Sequence, residues 1–347
     1  MLDELKNQLK DELVINKELI ETHKCRFMGL LETYKFNNET ITMLKKDVGG
    51  AVVIPIDEEG NVYLETQYRF PIGRMLLEAP AGKLDSRDEE YIECARRELL
   101  EETGCIADEI VELIKYYPKP DFTDEEIAIF LAKNVKKVAG QKLDTDETVN
   151  VIKMPLSTAL GLVKDGVIID QRTIIGLGLA KLQYNVEKKN FDKSQILKKL
   201  EEDSKVLIEE KIGENYRYEV NNLVAIDNIV KIPNGETSFR EVFYLKPRNI
   251  IIPVEQYKMG VIIKDRPIIG RREISFLESH EGVKVDFGEQ ATSVGFANEV
   301  AKMYITTDKV DECIYLEGSD IIELIKEGYI KDGLTIAAIF KMIISFL

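Results

Sequence analysis

The stretch Gly82-Lys-Leu-Asp-Ser-Arg-Asp-Glu89-Glu-Tyr-Ile-Glu-Cys-Ala-Arg-Arg97-Glu98-Leu99-Leu-Glu101-Glu102-Thr-Gly104-Cys105 decides how the chain is read. From Asp88 to Glu102 its pattern is helical, and Thr103-Gly104 ends it where glycine can take the left-handed cap conformation. On that helix Glu98, Glu101 and Glu102 stand at i, i+3 and i+4, which puts three carboxylates on one face. Like charges crowded there repel unless a cation neutralises them. Mg²⁺ suits the task because it prefers oxygen ligands, retains waters and bridges readily to phosphates. Arg97, one turn before Glu101 and one turn after Glu93, is placed to hold the carboxylates, and Gly82 permits a sharp loop ahead of the helix. The bland alternative for a glutamate-rich run is a solvated acidic helix face.

The segment resembles the signature of the Nudix hydrolases: glycine, five residues, glutamate, seven residues, then Arg-Glu-apolar-x-Glu-Glu-x-Gly-apolar. Glu89, Arg97, Glu98, Leu99, Glu101, Glu102, Gly104 and Cys105 fit it, which sets the bland alternative aside. Six residues, not five, separate Gly82 from Glu89. Either the loop carries a one-residue bulge or Asp88 takes the glutamate's part, and the bulge keeps every later residue in phase. Upstream, Gln67-Tyr-Arg69-Phe-Pro-Ile-Gly73-Arg74-Met-Leu-Leu-Glu78-Ala-Pro80-Ala81-Gly82 resembles the strand and loop before the signature in ADP-ribose pyrophosphatases. Pro120, 16 residues beyond Gly104, is similar to the proline that marks ADP-ribose substrates in that subfamily, whereas Asp121 stands where relatives usually have glycine.

The resemblance implies hydrolysis of the diphosphate of ADP-ribose to AMP and ribose 5-phosphate, with Mg²⁺ as cofactor and Mn²⁺ as its alternative. It implies metal ligation by Glu98, Glu101, Glu102 and the Ala81 carbonyl, and a catalytic set of Arg97, Glu98, Glu101, Glu102 and Glu147. Glu147 is the candidate general base, with Glu98 or Glu101 as alternatives and a solvated acidic turn as the bland reading. Arg69 and Arg74 suit phosphate contacts, Glu78 the adenosine end, and Pro120 completes the substrate-binding set.

Working outward, the chain repeats itself. Gly166-Val-Ile-Ile-Asp170-Gln-Arg-Thr173-Ile174 recurs as Gly328-Tyr-Ile-Lys-Asp332-Gly-Leu-Thr335-Ile336, an offset of 162. Asp146-Glu147 recurs as Asp311-Glu312, offset 165, and Phe122-Thr-Asp-Glu125 as Phe296-Ala-Asn-Glu299, offset 174. Arg69-Phe-Pro-Ile-Gly73-Arg74 recurs as Arg266-Pro-Ile-Ile-Gly270-Arg271, offset 197, and Val52-Val-Ile-Pro-Ile as roughly Ile250-Ile-Ile-Pro-Val. Several pairs in one order read as a tandem duplication whose second copy has lost the interval holding the signature. No such helix follows Ser279-His280-Glu281-Gly282, so the second copy is expected to bind no catalytic metal.

Composition agrees with a globular chain of two units. The 347 residues exceed what one core usually supports, and 44% hydrophobic with 31% charged excludes disorder and disulfide mini-scaffolds. A formal charge of −15 with no basic block argues against nucleic-acid and membrane partners. Cys25, Cys94, Cys105 and Cys313 are too few for a disulfide framework or zinc site, and the start lacks a secretion signal, so a cytoplasmic location is expected. The apolar run Leu334–Leu347 is too short to span a bilayer and reads as a core helix. His23 and His280 suggest no site.

The expected fold class is α/β (α+β): tandem Nudix folds, each a mixed β-sheet sandwiched between helices. The expected units are 1–20, an N-terminal helical arm; 21–184, the catalytic domain; 185–211, a helical linker; and 212–347, a degenerate Nudix-like domain. Subfamily members are typically homodimers that share residues across the interface, so the second copy is expected to act as an intramolecular pseudo-dimer partner in a monomeric chain. The alternatives are a pyrophosphatase for another nucleoside diphosphate sugar, a non-catalytic ADP-ribose sensor, and a chain disabled by its extra loop residue.

Overall fold

The computed structural model describes residues 2–10, 17–36, 39–144, 147–184, 191–220 and 223–346. A short helix, α1 (Leu2–Lys10), precedes a three-stranded antiparallel sheet of β1 (Lys17–Lys24), β2 (Leu30–Phe36) and β3 (Glu39–Lys45). The main sheet of the first half is built from β4 (Gly50–Ile56), β5 (Asn61–Arg69), β6 (Arg74–Glu78) and β7 (Ala81–Lys83), then, after helix α2 (Tyr91–Thr103) and the short β8 (Cys105–Ile106), β9 (Glu109–Tyr116) and β10 (Ile127–Lys133). β11 (Lys136–Lys137) pairs with β8, and β12 (Val149–Pro155) closes the sheet order β12-β5-β4-β10-β9. Helices α3 (Leu156–Lys164) and α4 (Gln171–Gln183) follow, and α5 (Lys193–Val206) leads into the second half.

That half opens with another antiparallel triplet, β13 (Glu210–Val220), β14 (Leu223–Lys231) and β15 (Thr237–Tyr244). Its main sheet comprises β16 (Asn249–Glu255), β17 (Lys258–Arg266), β18 (Arg271–Ser275), β19 (Val285–Ala291), β20 (Val300–Thr306) and β21 (Ile314–Leu316), followed by α6 (Gly318–Lys326) and α7 (Gly333–Phe346). The pairings run in the same order in both halves: β4 lies parallel to β10 as β16 does to β20, and β12 pairs with β5 as β21 does with β17. The mixed α+β architecture is as expected, and its two sheet-rich halves fit a tandem arrangement. Between β18 and β19 the second half has no counterpart of α2 and β8, and of β7 it keeps a single antiparallel bridge, Leu277 to Ile251.

Local chemistry explains the central elements. β4 and β10, Gly-Ala-Val-Val-Ile-Pro-Ile and Ile-Ala-Ile-Phe-Leu-Ala-Lys, are nearly continuous apolar runs because both their faces are covered. One side packs under α2 through Val53, Leu99 and Phe130. The other joins a core that runs through α3, α4, α6 and α7 and so belongs to both halves. Apolar spacing predicts a helix from Leu2 to Ile20. The helix is described over Leu2–Lys10, Leu13 lies outside the described residues, and Lys17 already belongs to β1, where a backbone ladder to β2 overrides the helical spacing. The expected connector is helical only over α5; Glu210 and Lys211 already belong to β13, and residues 185–190 lie outside the described residues. α1 is not a free arm: Leu5 and Leu9 are buried, and Lys6 bridges Glu323 at 2.6 Å and Glu327 at 2.7 Å on and just beyond α6.

Lys341 in α7 is 2% exposed, its Nζ donating to the Glu289 carbonyl at 3.1 Å, and burial pulls its pKa down to about 8. A lysine depressed in the folded state destabilises wherever it must be charged, an effect fully present below about pH 8 and lost as the pH rises to the unfolded value of 10.5. Lys341→Met should therefore raise stability by about 2 kcal/mol at pH 7. The gain over wild type, read from denaturant unfolding, should shrink between pH 8 and 10.5.

Candidate active site

α2 carries the first group of side chains. Gly104 ends it in the left-handed conformation (φ 71°), its N–H donating to the Leu100 carbonyl at 2.9 Å. The inner face mixes apolar Cys94, Ala95 and Leu99 with two acids, Glu98 and Glu102, which stack because they are one turn apart. Glu101 falls to the flank, where Arg97 Nη1 holds it at 3.2 Å. Arg97 also donates to Glu98 at 2.6 Å, to the Lys83 carbonyl at 2.9 Å and to Glu89 at 3.4 Å. The last contact answers the spacing question. The extra residue is absorbed in the loop, Glu89 reaches the arginine, and Asp88 is exposed.

Three other elements converge on these acids. Ala81, on β7, donates its N–H to Glu102 Oε2 at 2.8 Å. At the next residue a Cβ would stand 1.7 Å from Glu98 Oε1, so only glycine lets the Gly82 backbone lie against that carboxylate. From β5, Glu65 is 1% exposed, on the same face as Gln67 and Arg69. Glu147, just before β12, accepts from Gln67 Nε2 at 3.5 Å and lies close enough to Glu102 for the two acids to influence each other. Burial pushes Glu98 up to about 7 against the pull of Arg97. Burial also lifts Glu65 and Glu102 well above the usual carboxylate range, and their acidic neighbours lift them further. Glu147 is raised by burial too, with Arg69 opposing.

A second group faces it. Arg69 grips Glu78 through Nε at 3.0 Å and Nη2 at 2.6 Å, and Arg172 Nη2 reaches the same carboxylate at 2.5 Å while its Nε meets Asp170 at 3.1 Å. Glu78 is fully buried behind the two arginines it holds.

These groups line one cleft of about 590 Å³. Ala81, Arg97, Glu98, Glu147 and Arg69 border it; Glu102 lies just beneath, against Ala81. Glu101 and Glu78 do not face it. Arg74 is on the surface, paired with Glu289 at 2.9 Å, and Pro120 is buried in the loop while Pro118 borders the cleft. The far wall comes from the other half: Phe239, Arg240, Glu241 and Phe296, with Phe27 and Met28 from the β1–β2 turn. Glu241 fixes that turn by accepting the N–H groups of Arg26 and Phe27 at 2.9 and 3.1 Å. Asp121, in the loop that carries Pro118, accepts from Arg248 Nη1 at 2.6 Å. Burial alone would raise its pKa, but Arg248 and Lys119 outweigh it and hold the carboxyl well below its usual range.

Sequence reasoning missed Glu65, Arg172 and the whole far wall. The alternation Tyr63, Glu65, Gln67, Arg69 signals that Glu65 shares the arginine's face, and Arg172 sits inside a repeated motif. Phe296 likewise sits inside a repeated motif, whereas Phe239 carries no local signal, because only the pairing of the halves brings it here.

The donor chemistry fits a hard cation. Glu102 Oε1 and Glu65 Oε2 are buried without a hydrogen-bond partner, and a cation would answer both these acceptors and the repulsion among the acids. Among the described residues no three acidic, histidine or cysteine side chains are arranged to hold a metal as they stand, Glu98 being turned onto Arg97.

The NUDIX domain model matches residues 46–174. The chain is 35% identical over 140 residues to an ADP-ribose pyrophosphatase of Bacillus subtilis, covering 40% of this chain and 75% of that protein. The chain belongs to the Nudix family. It is a Nudix pyrophosphohydrolase, and divalent metal is general in that family. A GDP-mannose pyrophosphatase of Yersinia pestis is 33% identical over 179 residues, covering 49% of this chain and 89% of the relative. A solved ADP compounds hydrolase shares 21% identity at a TM-score of 0.43, covering 50% of this chain and 94% of that one. No helix among the described residues is long and apolar enough to cross a membrane.

Because the buried Glu78 neutralises two half-buried arginines, Glu78→Gln should cost about 2–4 kcal/mol of stability, measured by urea unfolding.

Proposed function

We propose that the chain hydrolyses the diphosphate of ADP-ribose to AMP and ribose 5-phosphate with Mg²⁺, or Mn²⁺ in its place, at the cleft between Arg69 and Glu98. The observation that carries this reading is the meeting of opposite charges: two arginines held by Glu78 stand across one cleft from the acids of α2. Arg69 and Arg172 suit phosphate oxygens because a guanidinium binds them bidentately. Glu98, Glu102 and the Ala81 carbonyl would hold the metal, which when bound polarises the diphosphate and makes water a better nucleophile. Arg97 keeps Glu98 and Glu101 in position, and Glu147, at the cleft edge, is the base that takes the proton from the attacking water. Phe27, half exposed at the far wall, offers a face for the nucleobase.

The second half, in this reading, is a degenerate copy acting as pseudo-dimer partner. Its support is a reciprocal pair of contacts. Tyr117 of the first half bridges Asp332 of the second, and Asp170 of the first bridges Ala291 of the second. Offsets of 174 and 162 turn one pair into the other, as an isologous interface requires. The second half's own counterpart of the cleft is nearly closed, a gap of about 20 Å³ where Arg266 pairs with Asp332 at 2.7 Å. One working site per chain follows.

Incubation with ADP-ribose and Mg²⁺ should release AMP, and Glu102→Gln should lower kcat by about 10²-fold or more. No AMP from the wild type, or equal turnover in both, would overturn the assignment. The likeness to a GDP-mannose pyrophosphatase favours a second reading, another sugar nucleotide, so GDP-mannose belongs in the same assay. Phe239→Ala should raise KM more than it lowers kcat, because Phe239 borders the cleft opposite the acids.

A further inference from the structure

α4 and α7 stand 162 residues apart in the repeat and pack on each other in the shared core. Their corresponding turns agree closely: Gly166 and Gly328, ahead of the two helices, take φ of 73° and 75°. At the same offset Gly178 corresponds to Phe340, and these two residues touch. A Cβ on Gly178 would lie 2.4 Å from Phe340 Cδ1 and 2.5 Å from its Cγ, and the phenyl ring is fully buried. A residue that meets its own counterpart marks the internal axis.

In a pair of identical subunits such a position carries the same residue twice. Here it carries the smallest side chain against one of the largest. Glycine is unfavourable inside a helix, so its presence needs a cause. The other α4 glycine, Gly176, has Ile54 of its own half as its nearest neighbour, whereas the nearest neighbour of Gly178 is the ring from the second half. Two first halves would meet glycine to glycine and leave a void the size of a phenyl ring; two second halves would drive ring into ring. Only the mixed pair fills the space.

We propose that Gly178 and Phe340 form a size-matched lock: the α4 face of the catalytic half is a mating surface for α7 of the second half and is closed to a second copy of itself. The proposal rests on the reading of the second half as a paired copy and adds the element that enforces the pairing. It makes the far wall of the cleft a fixed part of the chain rather than one borrowed from another molecule.

A double-mutant cycle in the full-length chain tests it. Gly178→Ala and Phe340→Ala should each lower the unfolding midpoint, the first by crowding and the second by leaving a cavity. The double variant should be more stable than Gly178→Ala alone, and its unfolding constant should fall short of the product of the two single effects by about five-fold or more. The exchange Gly178→Phe with Phe340→Gly should remain a monomer by light scattering, whereas Gly178→Phe alone should unfold or assemble. Additive single effects, no loss from Gly178→Ala, or a wild-type dimer joined through two α4 faces would overturn the lock. Unchanged kinetics in Phe239→Ala would instead strike at the pairing of the halves around the cleft, so the two failures are distinguishable.

Discussion

The constraint that organises this molecule is the burial of acids. Glu65, Glu98 and Glu102 are withdrawn from water on one patch of sheet and helix, with Glu147 beside them; Arg97 hydrogen-bonds Glu98 at the edge, and Arg69 acts on Glu65 and Glu147. Carboxylates placed this way repel and lose hydration, so the surrounding structure is built to tolerate them. The Ala81 N–H supplies one hydrogen bond and the bare Gly82 backbone supplies room. Arg69 and Arg172 bring positive charge to the rim without entering the patch, because Glu78 holds both from behind. The buried acids are thus left in mutual repulsion, held in place by their surroundings rather than by opposite charge among them.

That arrangement needs a rigid frame, and the frame is not confined to one half. α3, α4, α6 and α7 share one core, and α1 at the start of the chain is docked beside α6 near its end. The loop bearing Pro118 is held from the second half, where Arg248 bridges Asp121 and Glu299, and Lys119 meets Glu299 at 2.7 Å. Asp121 in that loop is thereby tied to an arginine of the second half, which makes the loop and the second half one structural unit.

Much of the acid-bearing side of the cleft was legible in the sequence because its determinants are local. The helix carrying Glu98 and Glu102 and its glycine cap depend on residues a few positions apart. Glu101 was read onto the same face, but a three-residue step turns it to the flank, where Arg97 takes it. Arg74 and Pro120 sit in the right stretch of chain and point elsewhere: strand alternation and loop direction decide that, and motif spacing does not record them. Glu65 was invisible for the opposite reason, since a lone glutamate in a strand looks solvent-facing until the sheet is covered. The far wall could not be read at all, because Phe27 and Phe239 border one cleft only after the halves pair.

The cleft with walls from both halves has a consequence at low concentration. A site assembled from two molecules empties on dilution, since subunit association is a bimolecular equilibrium. Here both walls belong to one chain, and α5 sets the local concentration of one half around the other whatever the number of molecules present. Such a catalyst works the same at a few copies per cell as at thousands, and its second half is free to change wherever it does not touch the first.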